Sequence, residues 1–308
     1  MSRYLGIDTS NYTTSACLYD DESGKVLSLR KLLPVREGEK GLRQSDAVFH
    51  HTQQLSGLLE ELFSQYDGKI DRIGVSYAPR TEEGSYMPCF TVGLNTAKIL
   101  SSALRAPLSL FSHQQGHIAA ALYSIDRPDL IGRRFIAFHV SGGTTEAILV
   151  NAGEGLLSTR LIAKTLDLNA GQLIDRVGVM LGLRFPCGKK LEELALQCDE
   201  KIRIKPTLKG FDCCLSGGEN QCKKLIESGR SPQYIARYAI EYILSAVSGM
   251  TERITAEYSG LEVVFAGGVM SDSIIRDEMT KRFSCLFSKP SFSSDNAAGV
   301  AVLASLVK

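Results

Sequence analysis

Residues 4–9 (YLGIDT) and 14–19 (TSACLY) read as two strands joined by a polar turn at 10–13. The same order returns at residues 134–140 (RFIAFHV), the turn SGGTT and residues 146–150 (EAILV). A chain that repeats a strand, hairpin turn, strand unit in each half is constrained to an α/β architecture with two lobes on one plan. In the first half a third strand at 25–33 follows, then a helix at 46–66, a buried strand at 70–78, a loop at 79–88, a helix at 91–104, a strand at 107–111 and a helix at 113–123. The second half continues with helices at 170–183, 189–198 and 232–258, a strand at 261–266 ending in Gly267 and Gly268, and helices at 271–283 and 295–307. With 308 residues, of which 44% are hydrophobic, each lobe can bury its own core. No Pro-, Gly- or Ser-rich linker separates the halves. The expectation is two closely packed lobes, 1–132 and 133–308, with a cleft between them.

Charge and cysteine usage exclude several classes. Lys+Arg of 35 against Asp+Glu of 34 leaves a net charge of +1, so no bulk basic field draws the chain to nucleic acid or membrane, and such contacts must be local. The 8 cysteines form no CxxC pair, and neither a signal peptide nor a long apolar span is present. The expectation is a reduced, cytoplasmic protein with no membrane partner, in which Cys213, Cys214 and Cys222 are buried structural cysteines, a thiol role at the adjacent pair being the alternative.

Three constellations carry chemistry. His113 and His117 stand at i and i+4 in SHQQGH, so one helical turn brings both imidazoles to one face, and Asp295 in SSDNAAG supplies a distant carboxylate at the start of another helix. That set suits one cation. In Ser141-Gly142-Gly143-Thr144-Thr145 the missing Cβ atoms let backbone N–H groups approach an anion, with the hydroxyls as further donors, and phosphate is the natural guest. Asp8 in the first turn offers an acid to hold a metal, position a water or accept a proton, and Gly267 and Gly268 let a nucleobase or ribose lie against the backbone. An ordinary hairpin is the alternative at each turn taken singly.

The patches GIDTSNYTT, SHQQGH, HVSGGTTEAILV, NAGQLIDRVGVMLGLRFPCG, AGGVMSD and SSDNAAG, in this order, resemble the TsaD family of tRNA threonylcarbamoyladenosine transferases, also known as O-sialoglycoprotein endopeptidases or glycoproteases. The resemblance runs from about Tyr4 to Leu306. It implies the actin, sugar kinase and Hsp70 (ASKHA) fold, two α/β lobes around a nucleotide cleft. It implies His113, His117 and Asp295 as ligands of iron, zinc or magnesium. Val140, Ser141, Gly142, Gly143 and Thr144 would contact phosphate and acyl group, Asp175 the ribose hydroxyls, and Gly188 the nucleoside. Gly267, Gly268 and Asp272 would complete the adenine nucleotide pocket. In the implied reaction Asp8 and Ser141 are the candidate catalytic residues, and threonylcarbamoyl-AMP donates to the adenosine next to the tRNA anticodon. Implied partners are tRNA, a smaller TsaB-like relative and a TsaE-like ATPase.

The chain departs from the family pattern at several places. Asn11-Tyr12-Thr13 replaces the acidic first turn, Gln172 the glutamate of the AGE-type motif, and Asp272 an asparagine. Residues 78–88 replace a PGL-type loop, and Ala47-Val48-Phe49-His50-His51 replaces a basic SRxH-like segment. Metal and nucleotide sites are therefore better matched than the acceptor. A related transferase with a non-tRNA acceptor and a non-catalytic nucleotide-binding assembly subunit stay open as alternatives. A zinc peptidase is disfavoured, since Gln114 and Gln115, and no glutamate base, stand between the histidines.

Overall fold

A computed structural model describes residues 2–10, 12–34, 42–66, 68–153, 156–289 and 296–307. In chain order the first elements are β1 (Arg3–Ser10), β2 (Thr13–Asp20), β3 (Val26–Leu32), α1 (Gln44–Ser64), β4 (Arg72–Ala78), α2 (Phe90–Leu104), β5 (Leu108–Ser112) and α3 (His113–Ser124). There follow β6 (Phe135–Val140), β7 (Thr145–Asn151), β8 (Ser158–Lys164), α4 (Ala170–Met180), α5 (Gly188–Ala195), β9 (Leu208–Lys209), β10 (Asp212–Cys213) and α6 (Ser216–Glu227). The chain continues with α7 (Pro232–Glu257), β11 (Val263–Ala266), a 3-10 turn at Gly268–Ser271, α8 (Ser273–Arg282), β12 (Cys285–Phe287) and α9 (Asn296–Leu306). Two compact units result, one of Met1–Arg133, Ala152–Thr159 and Ser291–Lys308, the other of Arg134–Asn151 and Arg160–Pro290.

The two sheets repeat one topology. In the first the order is β3-β2-β1-β4-β5, and in the second, read in the matching direction, β8-β7-β6-β11-β12. The central strand pairs antiparallel with its hairpin partner (β1 with β2, β6 with β7) and parallel with the strand on its other side (β1 with β4, β6 with β11). The repeated strand-turn-strand pattern in the sequence is thus the hairpin of each sheet.

In the first unit the two-residue period of the strands assigns the faces. Leu5, Ile7, Ile73 and Val75 pack with Leu55, Leu59 and Leu62 of α1 and Ala97 of α2. The intervening residues, Gly6 and Gly74, turn to α9, and they have no room for a side chain. A Cβ on Gly6 would collide with the Ala297 carbonyl, and one on Gly74 would sit 2.7 Å from the Val300 carbonyl oxygen. Asp8 and Ser76, two residues further along β1 and β4, lie on this same α9 face. α9 also approaches α3 at backbone distance, because a Cβ on Gly299 would overlap the Gly116 carbonyl. On the opposite face α1 is tied to β2 by a buried pair, Thr14 Oγ1 lying 2.8 Å from His51 Nδ1.

This corrects the domain boundary expected from the sequence. The first division falls close to 132/133, but α9 belongs to the first unit and not to 133–308, with Ala297 and Ala301 against Gly6 of β1 on one side and Gly299 against Gly116 of α3 on another.

In the second unit α7 is the spine of the core. Ser231 caps it by accepting from Tyr234 N, Pro232 opens it, and Ile235, Ala239, Ile243, Val247, Met250 and Ile254 are buried with Ile136, Phe138 and Val140 of β6 and Leu173 and Val177 of α4. Five elements, α6, β8, β9, β10 and β12, were not legible beforehand. α6 carries Gly217 and Gly218, residues of low helix propensity, in its first turn, where Gly218 lies against the Tyr242 ring of α7. β8 is a half-exposed edge strand and β12 only three residues long, so neither leaves an apolar run.

Two substitutions separate close packing from helix propensity. Gly299→Ala is expected to destabilise the protein by about 2 kcal/mol or more through overpacking. Gly57→Ala, on the exposed face of α1 with nothing within 4 Å of the new Cβ, should stabilise by about 1 kcal/mol. Urea unfolding of both variants checks the pair.

Candidate functional site

The first cluster lies where β1, α3 and the start of α9 meet within the first unit. Ser112 and Gln115 set the α3 N-terminus as a capping box: Ser112 Oγ accepts from Gln115 N at 3.2 Å, and Gln115 Oε1 accepts from Ser112 N at 2.7 Å. Gln115 Nε2 donates to Leu157 O at 2.7 Å, so Gln115 is a structural cap, and Gln114 stands where a peptidase of the HExxH type would need its base. With α3 started at that point, His113 and His117 share a face, their ring centroids 4.4 Å apart and nearly perpendicular. Both are half-buried.

Asp8 is 1% exposed, and its Oδ2 lies 2.9 Å from His113 Nδ1. Burial raises the Asp8 pKa, but the adjacent imidazole and the hydroxyls of Ser76 and Ser10 outweigh it and hold the carboxyl well below the usual carboxylate range. Its Oδ1 accepts from Ser10 N at 3.1 Å. Asn296, the first residue of α9 and 2% exposed, completes the cluster. Its Nδ2 donates to Asp8 Oδ2 and to the His113 carbonyl, each at 3.2 Å, and lies against His113 Nδ1. Its Oδ1 is buried without a partner among the described residues. Asp295, the third ligand expected from the sequence, lies outside the described residues, as does Asn11. Asn296 was missed because an asparagine opening a helix reads as a cap; its position directly after Asp295 was the available signal.

Two imidazoles on one helical face, one of them held through Nδ1 by a buried carboxylate, have the ligand chemistry of a divalent cation site, although no group of three or more His, Cys, Asp or Glu among the described residues is arranged to hold a metal ion.

The second cluster surrounds the SGGT turn at the end of β6. Ser141 N donates to Thr144 O at 2.7 Å, and Thr144 N to Ser141 Oγ at 3.2 Å, which closes the turn. Gly142 and Gly143 at its tip are exposed, and their N–H groups make no hydrogen bond among the described residues. α4 docks beneath with its N-terminus. Gly171 N donates to Ser141 O at 3.1 Å, Asn169 Nδ2 to Gly143 O at 3.0 Å, and a Cβ on Gly171 would sit 2.6 Å from Gly142 N. Gln172, in the place of the expected glutamate, accepts from Asn169 N at 3.3 Å and so does the same capping without a charge. The Gly142 and Gly143 N–H groups, without a partner among the described residues and beside a helix N-terminus, are donors of the kind an anion takes.

Gly267, at the end of β11, has φ 101° and lies so close to β6 that a Cβ would overlap the Val140 carbonyl. Only glycine satisfies both conditions. Asp175 on α4 accepts from Cys187 N at 2.8 Å, which holds the start of α5 and hence Gly188, whose Cα faces open space. Asp272 is engaged by its own helix: Oδ1 accepts from Ile275 N at 3.1 Å as the N-cap of α8. Ser141, Val140, Gly142, Gly143, Thr144, Asp175, Gly188, Gly267, Gly268 and Asp272 all fall in the second unit, and Asp8, His113 and His117 in the first.

The family model described as TsaD, tRNA N6-adenosine threonylcarbamoyltransferase, matches residues 36–302. The chain belongs to this family. It is 30% identical to the tRNA N6-adenosine threonylcarbamoyltransferase of Kosmotoga olearia over 98% of its length and 92% of that protein, and 27% identical to that of Archaeoglobus fulgidus over 89% and 80%. A probable bifunctional tRNA threonylcarbamoyladenosine biosynthesis protein of Methanothermobacter thermautotrophicus is 29% identical, and there the chain spans 55% of the relative's length. Among solved structures, full-length HypF in the phosphate- and nucleotide-bound form superposes with TM-score 0.61 at 14% identity, over 98% of this chain and 46% of that one. The ROK hexokinase of Thermus thermophilus superposes with TM-score 0.53 at 14% identity, over 99% and 98%. These establish the fold as ASKHA, the actin, sugar kinase and Hsp70 class.

In this TsaD-family chain the cysteines are all free thiols. Burial pushes Cys213 and Cys222 up to about 12, far from a reactive thiolate. No helix among the described residues is long and apolar enough to cross a membrane.

Asp272 yields a pH prediction. Burial, with Glu192 of α5 nearby, pushes its carboxyl up to about 6 from 3.8, against the opposing pull of the α8 N–H groups and Arg237 of α7. A folded-state pKa above the unfolded value means that the folded chain holds the proton more tightly. This contribution to stability is therefore fully present below about pH 4 and lost as pH rises through about 6, a change on the order of 3 kcal/mol. Asp272→Asn keeps the cap and removes the charge. The variant is expected to exceed the parent in stability by roughly 1–3 kcal/mol at pH 7.5 and by little at pH 4, as urea unfolding at both values will show; an equal difference at both would exclude this account.

Proposed function

We propose that the chain transfers the threonylcarbamoyl group from threonylcarbamoyl-adenylate to N6 of the adenosine beside the tRNA anticodon. The observation that carries this reading, beside family membership, is the SGGT turn, whose two glycine N–H groups stand exposed and unpaired above the α4 N-terminus. Those N–H groups, with the Ser141 and Thr144 hydroxyls, bind the phosphate of the adenylate. Asp175 offers Oδ2 to the ribose hydroxyls while Oδ1 stays on Cys187 N–H. Gly188 and the Gly267–Gly268 turn receive the flat nucleoside, where any side chain would stand in its way, and Asp272 keeps that turn in place by capping α8.

The reaction forms a bond between the N6 amine and the carbamoyl carbon and breaks the bond from that carbon to the AMP phosphate oxygen. AMP leaves with the electron pair, and N6 loses a proton. The phosphate cradle assists because negative charge grows on the departing AMP, where N–H donors are already oriented. A divalent cation, iron, zinc or magnesium, held by His113, His117 and Asp295 would supply Lewis-acid polarisation of the acyl oxygen. Acceptance of N6 by this reading requires the adenosine to be unstacked.

Purified, metal-loaded protein should release AMP from threonylcarbamoyl-adenylate in a manner that depends on unmodified tRNA, leaving the modified base in the product. Parallel arms add a smaller TsaB-like relative and a TsaE-like ATPase. AMP release indifferent to tRNA in every arm would refute tRNA as acceptor. Asp175→Ala is expected to weaken adenine nucleotide binding about tenfold, the equivalent of one charge-assisted hydrogen bond, and His117→Ala to lower the bound metal; isothermal titration and metal analysis measure these.

A further inference from the structure

We infer that Asp8 and Asn296 are positioning residues of the metal centre: Asp8 accepts the Nδ1–H of His113, so that this ring ligates through Nε2, and the Asn296 amide clamps both. The inference rests on the metal assignment proposed above, and it moves Asp8 away from direct acid–base chemistry on substrate.

Three observations carry it. First, Asp8 is 1% exposed, and its Oδ2 is already engaged by His113 Nδ1 at 2.9 Å and Asn296 Nδ2 at 3.2 Å, while Oδ1 is engaged by Ser10 N at 3.1 Å. A carboxylate buried to this extent does not reach a substrate proton directly, whereas a carboxylate on the far nitrogen of a ligating imidazole sets its tautomer and ring angle. Second, the Asn296 amide reaches both residues of the pair at once. Its Nδ2 lies 3.2 Å from the Asp8 carboxylate and 3.2 Å from the His113 carbonyl, and against His113 Nδ1. Its Oδ1 is buried and unpartnered among the described residues, an arrangement that a purely structural asparagine would avoid. Third, the clamp is built into the packing. Gly6 and Gly299 admit α9 against β1 and α3, so the first residue of α9 reaches Asp8 and His113 at once. The residue just before it in the sequence is Asp295, the third expected ligand.

The test uses the full chain, stripped of metal and titrated with Zn2+ against a chromophoric chelator, and with Co2+ for its visible absorption. Asp8→Ala and Asn296→Ala should each weaken Zn2+ binding 10–100-fold and shift the Co2+ band. Asp8→Asn, which is isosteric and still offers an acceptor to Nδ1–H, should fold as the parent does and recover part of the loss. An Asp8→Ala protein with parental Zn2+ affinity and an unchanged Co2+ spectrum would overturn the inference, all the more if its transfer rate fell, for Asp8 would then act on substrate. If the parent binds Zn2+ and His117→Ala loses it while both new variants keep it, this inference alone fails. If the parent takes up no metal, the metal assignment fails and takes the inference with it.

Discussion

Backbone-to-backbone contact at glycine is the constraint on which the rest depends. Gly6 of β1 and Gly299 of α9 leave no space for a Cβ, the latter lying on the Gly116 carbonyl of α3, so three elements from distant parts of the chain meet at a separation that ordinary side chains forbid. Only at that separation can the short side chains of Asp8 and Asn296 touch His113. The polar cluster of the first unit is thus a product of its tightest packing, and it lies on the α9 face of β1 because residue 8 has the same parity as residue 6.

The second unit uses the same device for a different end. Gly171 brings the N-terminus of α4 under Gly142, and Gly267 brings the end of β11 onto Val140. The first N–H groups of α4 are spent on holding the turn, Ala170 N on Thr145 Oγ1 and Gly171 N on Ser141 O, while those of Gly142 and Gly143 find no partner among the described residues; the phosphate proposal uses the latter. The departures from the family pattern fit into this frame without disrupting it. Gln172 accepts the bond that a glutamate would accept, and Asp272 caps the helix that an asparagine would cap, though with a charge that burial disfavours.

Much of this was legible in the residues. Strand-turn-strand units at 4–19 and 134–150, the helical spacing of the histidines and the glycine turns all depend on neighbours in sequence, and local periodicity reports such neighbours. The placement of residues 296–306 was not legible, because an all-apolar helix carries no mark of which sheet it will cover. The role of Asn296 was hidden for the same reason, its partners being 183 and 288 residues away. α6 carries a Gly-Gly pair of low helix propensity in its first turn, and β8, β9, β10 and β12 are edge or very short strands that depend on pairing for their existence.

By itself, then, the sequence determined the secondary elements with strong local periodicity, the duplicated α/β plan and the identity of the candidate ligands, because those follow from side-chain order along the backbone. Tertiary structure alone decided that α9 completes the first unit, that Gln115, Gln172 and Asp272 serve as caps, and that Asp8 and Asn296 enclose His113. Those outcomes follow from which surfaces can approach closely enough to exclude water and pair their buried polar groups, a property of distant segments that no single stretch of residues contains.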